Sequence, residues 1–374
     1  MRVTLKNIAD RLNVHVTTVS AALRPCSGTA AVSKELRERI IRTAGEMGYI
    51  PNMTARQMRG ATSKVIGIVT PNWRHDTAGD LRRFIVEMLY ARGYSTLMGI
   101  VVDDASNLDA VIRDMIGRNV DGILLPASRW VLEPKRYPIP VVSAADAHAV
   151  SENTCFMIDR ANGMRLAVEH LLSHGHEKIG YIDQMDWPDK FSGYTGALEA
   201  AGIQLDPGWQ LQCRFNRNFR TELDLLLKKE RVRAFVCSSD FYAMRFIHYL
   251  QKHGFSVPDD VAVIGYDGTS FRECITPTLT TVVSPNHLLA EKLVTEMIRI
   301  VEAGKTFVPP AVPELLSPYL ALGESCGCTV PEADLVCWNM PNLSYELQQI
   351  TESDIPEEFF RFDRRMNKNC NGHD

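Results

Sequence analysis

The chain of 374 residues is too long for one ordinary domain, and its 45% hydrophobic and 23% charged residues are typical of a folded protein rather than a disordered one. No stretch approaches the roughly 18 consecutive apolar residues that a membrane span needs. The N-terminus also has no apolar core of the kind that a secretory signal requires. We therefore expect a cytoplasmic protein whose nine cysteines stay reduced.

The formal net charge of −4 hides two regions of opposite sign. Residues 1–64 contain eleven Lys and Arg against four Asp and Glu, whereas the rest of the chain contains 30 against 41. A small basic region on an acidic body predicts that the N-terminal part binds a polyanion and that the body has a separate task.

An all-helical head is predicted over residues 1–50. Thr4 is a candidate N-cap for a helix over residues 5–12, and Ser33 for a helix over residues 34–47. Between them, the pair Asn13-Val14 predicts a tight turn, and Val19 and Leu23 are expected to pack a second helix on the first. This leaves three hydroxyl side chains on the outer face of the second helix, which is typical of a recognition helix in the major groove: Thr17, Thr18 and Ser20. A helical hairpin with no role in DNA binding is the alternative.

A hinge or linker is predicted over residues 51–63. The run G-Y-I-P at residues 48–51 ends the preceding helix, and residues 52–59 form a short segment that contains two arginines. Such a segment is too short to hold as an isolated helix in water, because helix nucleation is costly. An ordinary linker is the alternative.

From residue 64 onwards, short β-branched runs alternate with longer amphipathic runs, which predicts two doubly wound parallel sheets over residues 64–323. The first half combines predicted strands at 65–69, 96–102, 122–125 and 140–143 with helices at 81–92 and 108–119. The second combines strands at 179–183, 234–238 and 261–266 with helices at 162–174, 193–201, 221–230 and 241–253. Residues 324–374 form a polar extension to which we assign no role.

Candidate ligand-binding side chains follow the predicted strands, where ligands of doubly wound sheets bind. They combine carboxylates, an ammonium, a hydroxyl and aromatic rings, a mixture that suits a polyol: Trp73, His75, Trp187, Lys190, Ser239, Asp240 and Asp267. Two alternatives stay open. The two tryptophans could simply pack under loops, and Asp240 could be the N-cap of the helix that starts at Phe241.

Six ordered motifs carry a resemblance that extends from residue 3 to about residue 323. They are V-T-L-K-N-I-A-D-R-L-N-V-H-V-T-T-V-S at residue 3, G-Y-I-P-N-M-T-A-R-Q-M-R at 48, I-G-I-V-T-P at 66, I-D-R-A-N-G at 158 with H-L-L-S-H-G-H-E-K-I-G-Y-I at 170, P-D-D-V-A-V-I-G-Y-D at 258 and P-T-L-T-T-V at 277. With them the sequence resembles the lactose-repressor (LacI-type) family of bacterial transcription regulators. The resemblance implies a helix-turn-helix head and a two-lobed, periplasmic-binding-protein-like core.

The resemblance also implies roles for residues of the head and hinge. Val16, Thr17 and Ala21 fall on base-reading positions, and Thr18 and Ser20 on phosphate-facing ones, with Thr4 in the same DNA-contacting set. Ala21 stands where the family often has arginine or another polar residue, which favours contact with thymine methyl groups. His15 replaces the usual serine cap.

In the hinge, the resemblance places Met58 on the position whose apolar side chain wedges a base step open. The other hinge residues in this set are Asn52, Ala55, Arg56 and Arg59.

In the core, the resemblance places Asp267, and more loosely Asp240, on effector-binding positions. Lys190 replaces the usual arginine, with fewer donors and no planar fork, and Ser239 replaces a common asparagine.

The expected protein is a homodimeric regulator, most simply a repressor, that binds a near-palindromic DNA operator. Its effector is expected to be a sugar or sugar derivative. The alternatives are a regulator with a non-sugar, for example purine-like, effector and a solute-binding protein.

The sequence predicts no enzyme, no cofactor and no metal site. It contains neither a Gly-rich phosphate loop of the usual spacing nor a nucleophile elbow. Cys326 and Cys328 with Cys337, Cys370 and His373 have a spacing that fits no common zinc finger. The histidines at 170, 174 and 176 belong to a family motif and are interpreted as structural.

Overall fold

The structure, a computed structural model, describes residues 3–23, 32–50, 62–71, 79–101, 107–128, 137–145, 150, 153–183, 188–212, 217–304, 310 and 312–330. The chain divides into two compact units, Met1–Ser63 and Lys64–Asp374. Among the described helices, none is both long enough and apolar enough to cross a membrane.

The described residues of the N-terminal unit form three helices: α1 (Leu5–Leu12), α2 (Val16–Ala22) and α3 (Lys34–Glu46). Thr4 caps α1 in a reciprocal arrangement, since its hydroxyl accepts from the Asn7 amide and the Asn7 side chain accepts from the Thr4 amide. Asn13 ends α1 in the left-handed conformation, with φ at 52°. Ser33 caps α3 through the amide of Leu36, as predicted. The core of this unit contains Ile8, Val19 and Ile40, each fully buried.

The first lobe of the second unit contains an all-parallel sheet flanked by helices α4 (Gly79–Ala91) and α5 (Leu108–Gly117). The strands lie in the order β11, β5, β4, β3, β1, β2. Their bounds are β1 Val65–Pro71, β2 Ser95–Val101, β3 Gly122–Ser128, β4 Val141–Ala145, β5 Thr154–Ile158 and β11 Glu314–Leu316. The doubly wound sheet predicted for this half is confirmed.

The second lobe contains a sheet in the order β12, β10, β9, β8, β6, β7, in which only the edge strand β12 is antiparallel. Its strands are β6 Ile179–Asp183, β7 Gln210–Gln212, β8 Ala234–Cys237, β9 Ala262–Asp267, β10 Thr280–Val283 and β12 Tyr319–Ala321. Its helices are α6 Arg160–Ser173, α7 Pro188–Ala200, α8 Arg217–Asp224 and α9 Asp240–Lys252. The helix α8 continues as a π-turn over Leu225–Lys229.

The chain passes three times between the two lobes: from β5 to α6, from β10 to helix α10 (Asn286–Ala303), and from β11 to β12. Although α10 follows the strands of the second lobe in sequence, it packs in the first. Its buried Leu289, Leu293 and Met297 share one core with Ile66 and Leu124. No element is predicted here from the sequence, and a local pattern would not reveal which lobe such a helix completes.

The core extends beyond its predicted limit at residue 323. Ser325 is fully buried; its hydroxyl donates to the Val263 carbonyl at 2.6 Å and accepts from the Thr280 amide at 2.9 Å. Cys326 is also buried. Ser325 and Cys326, which were predicted to lie in the polar extension, therefore pack with the second lobe, because their side chains contact the sheet instead of solvent.

Candidate functional site

A buried polar cluster lies at the carboxyl ends of three strands of the second lobe. Asp183 is the last residue of β6, Ser238 follows β8, and Asp267 is the last residue of β9. Because β6, β8 and β9 are parallel, their carboxyl ends lie at the same edge of the sheet. Helix α7 adds Lys190, so this edge holds the charged side chains that a small polar ligand needs.

Lys190 and Asp267 form an ion pair that is nearly removed from solvent, with 2% and 14% of their side chains exposed. The Lys190 Nζ donates to the Ser238 carbonyl at 2.6 Å and to Asp267 Oδ1 at 3.3 Å, and lies 3.7 Å from the centroid of the Tyr266 ring. Burial lowers the pKa of Lys190 and raises the pKa of Asp267, while each residue's charge opposes that shift in its partner. Each charge therefore offsets the desolvation cost of the other.

The backbone of Asp267 is held in a conformation that L-residues rarely adopt, with φ at 114°. The next residue, Gly268, also has positive φ, and a Cβ atom there would lie 2.8 Å from the Cα of Val283. Conformations of this kind cost about 1–3 kcal/mol and are concentrated at ligand sites. The strained turn positions the Asp267 carboxylate at the carboxyl end of β9.

Two residues near the pair were not singled out by the sequence analysis. Ser238 donates its hydroxyl to Asp183 Oδ1 at 2.6 Å, which fixes the carbonyl that Lys190 contacts. Arg160 is the first residue of α6, and its positive charge contributes to lowering the pKa of Lys190 and opposes the rise in that of Asp267. The I-D-R-A-N-G motif contains Arg160. Because β5 is not predicted from the sequence, the position of Arg160 just after a strand is not predicted either.

Ser239 and Asp240 both make structural contacts within the second lobe, and their predicted contact with an effector stays a prediction. Ser239, not Asp240, is the N-cap of α9, and its hydroxyl accepts from the Tyr242 amide. The alternative that Asp240 is the cap is therefore wrong. Asp240 is fully buried and accepts from the Thr269 amide at 2.6 Å, from the Thr269 hydroxyl at 3.0 Å and from the Thr281 hydroxyl. It thereby supports the turn that follows Asp267; a direct contact with the effector stays a prediction.

We expect Asp240→Asn to remove a pH-dependent contribution to stability. Burial, and secondarily the charge of Asp267, raise the pKa of Asp240 to about 7. Because this value exceeds that of an unfolded Asp, about 3.9, the proton stabilises the folded state below pH 4, and this contribution is lost as pH rises through about 7. Asparagine is neutral throughout, and its amide can still accept from Thr269 and donate to Thr281.

Thermal unfolding between pH 5 and pH 8 measures this effect. The melting temperature of Asp240→Asn relative to the parent should increase across this range. The exposed Asp259→Asn is the matched control, for which no such trend is expected. A constant offset for Asp240→Asn across the range would contradict the shifted pKa.

Most of the residues of the N-terminal unit that are predicted to contact DNA and lie within the described range are on α2. His15 caps this helix: its Nδ1 accepts from the Thr17 amide at 3.3 Å and lies 2.7 Å from the Thr17 hydroxyl. Val19 and Ala22 point into the core, and Arg37 on α3 donates to the Ala22 carbonyl, which fastens the end of α2. The predicted contact residues of α2 keep exposed or partly exposed side chains within this unit: Val16, Thr17, Thr18, Ser20 and Ala21. Thr4 is exposed at the start of α1.

Eight residues of the predicted sites lie outside the described residues and stay predictions. They are the hinge residues Asn52, Ala55, Arg56, Met58 and Arg59, and the aromatic candidates Trp73, His75 and Trp187.

Comparisons with known proteins agree with both units. Residues 4–52 match the family described as bacterial regulatory proteins, lacI family, and residues 168–326 match a periplasmic binding protein-like domain. The chain is 29% identical over 301 residues to the HTH-type transcriptional repressor PurR of Erwinia tasmaniensis, covering 77% of this chain and 87% of that protein. It is 26% identical over 298 residues to catabolite control protein A of Priestia megaterium, covering 77% and 89%.

Solved structures show the same fold. The lac repressor dimer bound to operator and an anti-inducer matches with a TM-score of 0.72 at 21% identity, over 87% of this chain and 99% of that one. The complex of the transcriptional regulator CelR with cellobiose matches with a TM-score of 0.60 at 25% identity, over 87% and 100%. The head, the core and the order of their elements thus agree with the sequence matches: the chain combines a helix-turn-helix domain of the lacI family of bacterial regulatory proteins with a periplasmic-binding-protein-like domain.

Proposed function

We propose that this protein is a sequence-specific transcription regulator, most simply a repressor, whose affinity for operator DNA is controlled by a small polar effector. One observation carries the proposal: a basic helix-turn-helix unit and a core with a buried Lys190–Asp267 pair at its ligand-binding edge occur in the same chain. The effector binds one arrangement of the core more tightly than another. Operator DNA binds more tightly either to that same arrangement or to the other one, so the two ligands affect each other's affinity.

The DNA-binding part of the proposal is supported by the charge and the exposed face of the N-terminal unit. An excess of seven positive charges over residues 1–64 supplies attraction to phosphates. The exposed hydroxyl of Thr17 and the partly exposed methyl of Ala21 offer contacts to base edges. The similar lac repressor was solved as a dimer on its operator, and a homodimer on a near-palindromic site is the assembly that we propose here.

A carbohydrate is the effector class that we favour. Asp267 and Asp183 provide carboxylate acceptors, Lys190 a donor, and these suit vicinal hydroxyl groups that both donate and accept. The similar regulator CelR was solved with cellobiose. A purine-like effector is the competing class.

Two features argue against two other classes of protein, a solute-binding protein and an enzyme. A solute-binding protein has no use for a DNA-binding unit, and the described residues at the carboxyl edge form a binding pair rather than a nucleophile with its base. We propose that the protein is not an enzyme and that it acts in the cytoplasm, where operator DNA lies.

Selection from a random pool of duplex DNA with the full chain tests the proposal. We expect a near-palindromic consensus, and an affinity for it that falls with salt on a log–log slope of several units, set by the phosphate contacts. Affinity that stays flat between low and physiological salt would exclude the DNA-binding role.

A thermal-shift panel of sugars and purines then identifies the effector class. A ligand present at 100 times its Kd adds about 2.7 kcal/mol of stability, and the true effector should also change operator affinity. Stabilisation by purines alone would replace the carbohydrate assignment while leaving the regulator intact.

A further inference from the structure

Two motifs that are far apart in the sequence lie together in the second lobe. The histidines His170 and His174 lie one turn apart on α6, and Cys326 and Cys328 lie on the turn after β12. The His170 Nε2 lies 3.3 Å from the sulfur of Cys326 and 3.5 Å from that of Cys328, and the His174 Nε2 lies 3.6 Å from the Cys328 sulfur. Three potential ligand atoms therefore converge from two segments more than 150 residues apart, and the imidazole of His174 lies beside one of them.

These distances are those between the ligands of one tetrahedral zinc ion. Zinc binds cysteine sulfur at about 2.3 Å and histidine nitrogen at about 2.0–2.1 Å, which separates a sulfur and a nitrogen ligand by about 3.6 Å. The ligand atoms of His170, Cys326 and Cys328 all lie within 4.8 Å of one another. One thiol–imidazole hydrogen bond would explain one contact, but here both sulfurs approach the same imidazole nitrogen.

We propose that His170, Cys326 and Cys328 bind zinc, with the adjacent His174 as the fourth ligand. Two thiolates and two imidazoles are a ligand set that prefers zinc over the hard cations calcium and magnesium. When His174 completes the set, the coordination sphere is closed and the site is structural rather than catalytic.

The local structure supports the ligands. Gly327 has φ at +94°, a conformation that favours glycine, and it allows both cysteines of the C-G-C turn to approach α6. The Thr280 hydroxyl donates to the Cys326 sulfur at 3.0 Å, a hydrogen bond of the kind that orients a metal ligand. Cys326 is buried whereas His174 is exposed, so a metal ion can enter from solvent.

The site would fasten the last described turn of the chain to α6. The buried Ser325 and Cys326 already anchor this turn to the sheet. Zinc would add a second attachment at the point from which residues 331–374 continue. This inference does not depend on the proposed regulatory function.

Metal titration of the full-length, reduced and metal-free protein tests the site. We expect one Zn²⁺ per chain, bound tightly enough to compete with a chromophoric chelator. Co²⁺ should give the visible bands of tetrahedral coordination together with a thiolate-to-cobalt charge-transfer band. Zn²⁺ should also raise the melting temperature, and a chelator should reverse this rise.

Single substitutions localise the metal. Even outer-shell changes cost about 10–100-fold in metal affinity, so Cys328→Ser and the exposed His174→Gln should each lose at least this much. The matched control is Cys274→Ser, which removes an exposed cysteine elsewhere. Replacing Cys337, Cys370 and His373 together should leave the stoichiometry unchanged.

Two results would overturn the proposal. One is the absence of stoichiometric Zn²⁺ binding in the reduced protein. The other is binding that survives both Cys328→Ser and His174→Gln, or that is lost when only the three C-terminal residues are replaced.

Discussion

Replacing Asp267 with alanine should abolish the response of operator binding to the effector and destabilise the core by about 3–5 kcal/mol. The substitution removes the counter-charge of Lys190, whose side chain is 2% exposed, and leaves an ammonium buried beside Tyr266. Operator affinity without effector should change little once the variant is folded, because the DNA-contacting helices belong to the other unit. Urea unfolding and operator titrations with and without effector measure the two effects.

A double variant separates stability from recognition. Lys190→Met combined with Asp267→Asn buries no charge, so much of the lost stability should return. The effector response should stay absent, because neither the ammonium nor the carboxylate is available to the ligand. An Asp267→Ala protein that responds normally to the effector and unfolds like its parent would show that the Lys190–Asp267 pair contributes neither to effector recognition nor to stability.

Ile40→Ala should abolish operator binding by unfolding the N-terminal unit. Ile40 is fully buried between the three helices, and truncating such a side chain costs about 2–5 kcal/mol. A unit of this size rarely has more than about 3–5 kcal/mol of stability, so the loss removes most or all of it. The core should be unaffected, and effector binding should persist.

The neighbouring residue provides the control. Ile41 is 50% exposed, so Ile41→Ala removes the same atoms from a site where little burial is lost. It should bind operator like the parent. Circular dichroism and operator titration distinguish the two variants, and equal operator binding by both would mean that the packing around Ile40 does not maintain the DNA-contacting face.

The sequence predicted those features that local physics determines. The caps at Thr4 and Ser33 depend on residues within one helical turn, and both formed as expected. The motif that ends at Asp267 placed that carboxylate at the end of a strand. The features that were missed depend on distant contacts: Arg160 follows a strand of five residues that no pattern revealed.

The packing of α2 in the head was predicted in outline. Leu23 packs against the core as expected, although it is only partly buried there, whereas Ala22 is almost fully buried. At the end of α2, Arg37 on α3 donates to the Ala22 carbonyl, a contact between residues 15 apart that no local pattern reveals. Likewise, the meeting of α6 with the C-G-C turn required the complete fold of the second lobe.

The position of α10 also affects how the protein is made. The N-terminal helices bury Ile8, Val19 and Ile40 against one another, so the described core of this unit is complete once the first 49 residues have left the ribosome. The first lobe, in contrast, lacks the part of its core that Leu289, Leu293 and Met297 supply until residues 286–303 have been synthesised. During most of translation, part of its apolar sheet face is therefore uncovered and open to aggregation or to binding by chaperones. A nascent chain that stops near residue 285 would therefore contain the N-terminal helices but would lack the helix α10 that completes the core of the first lobe.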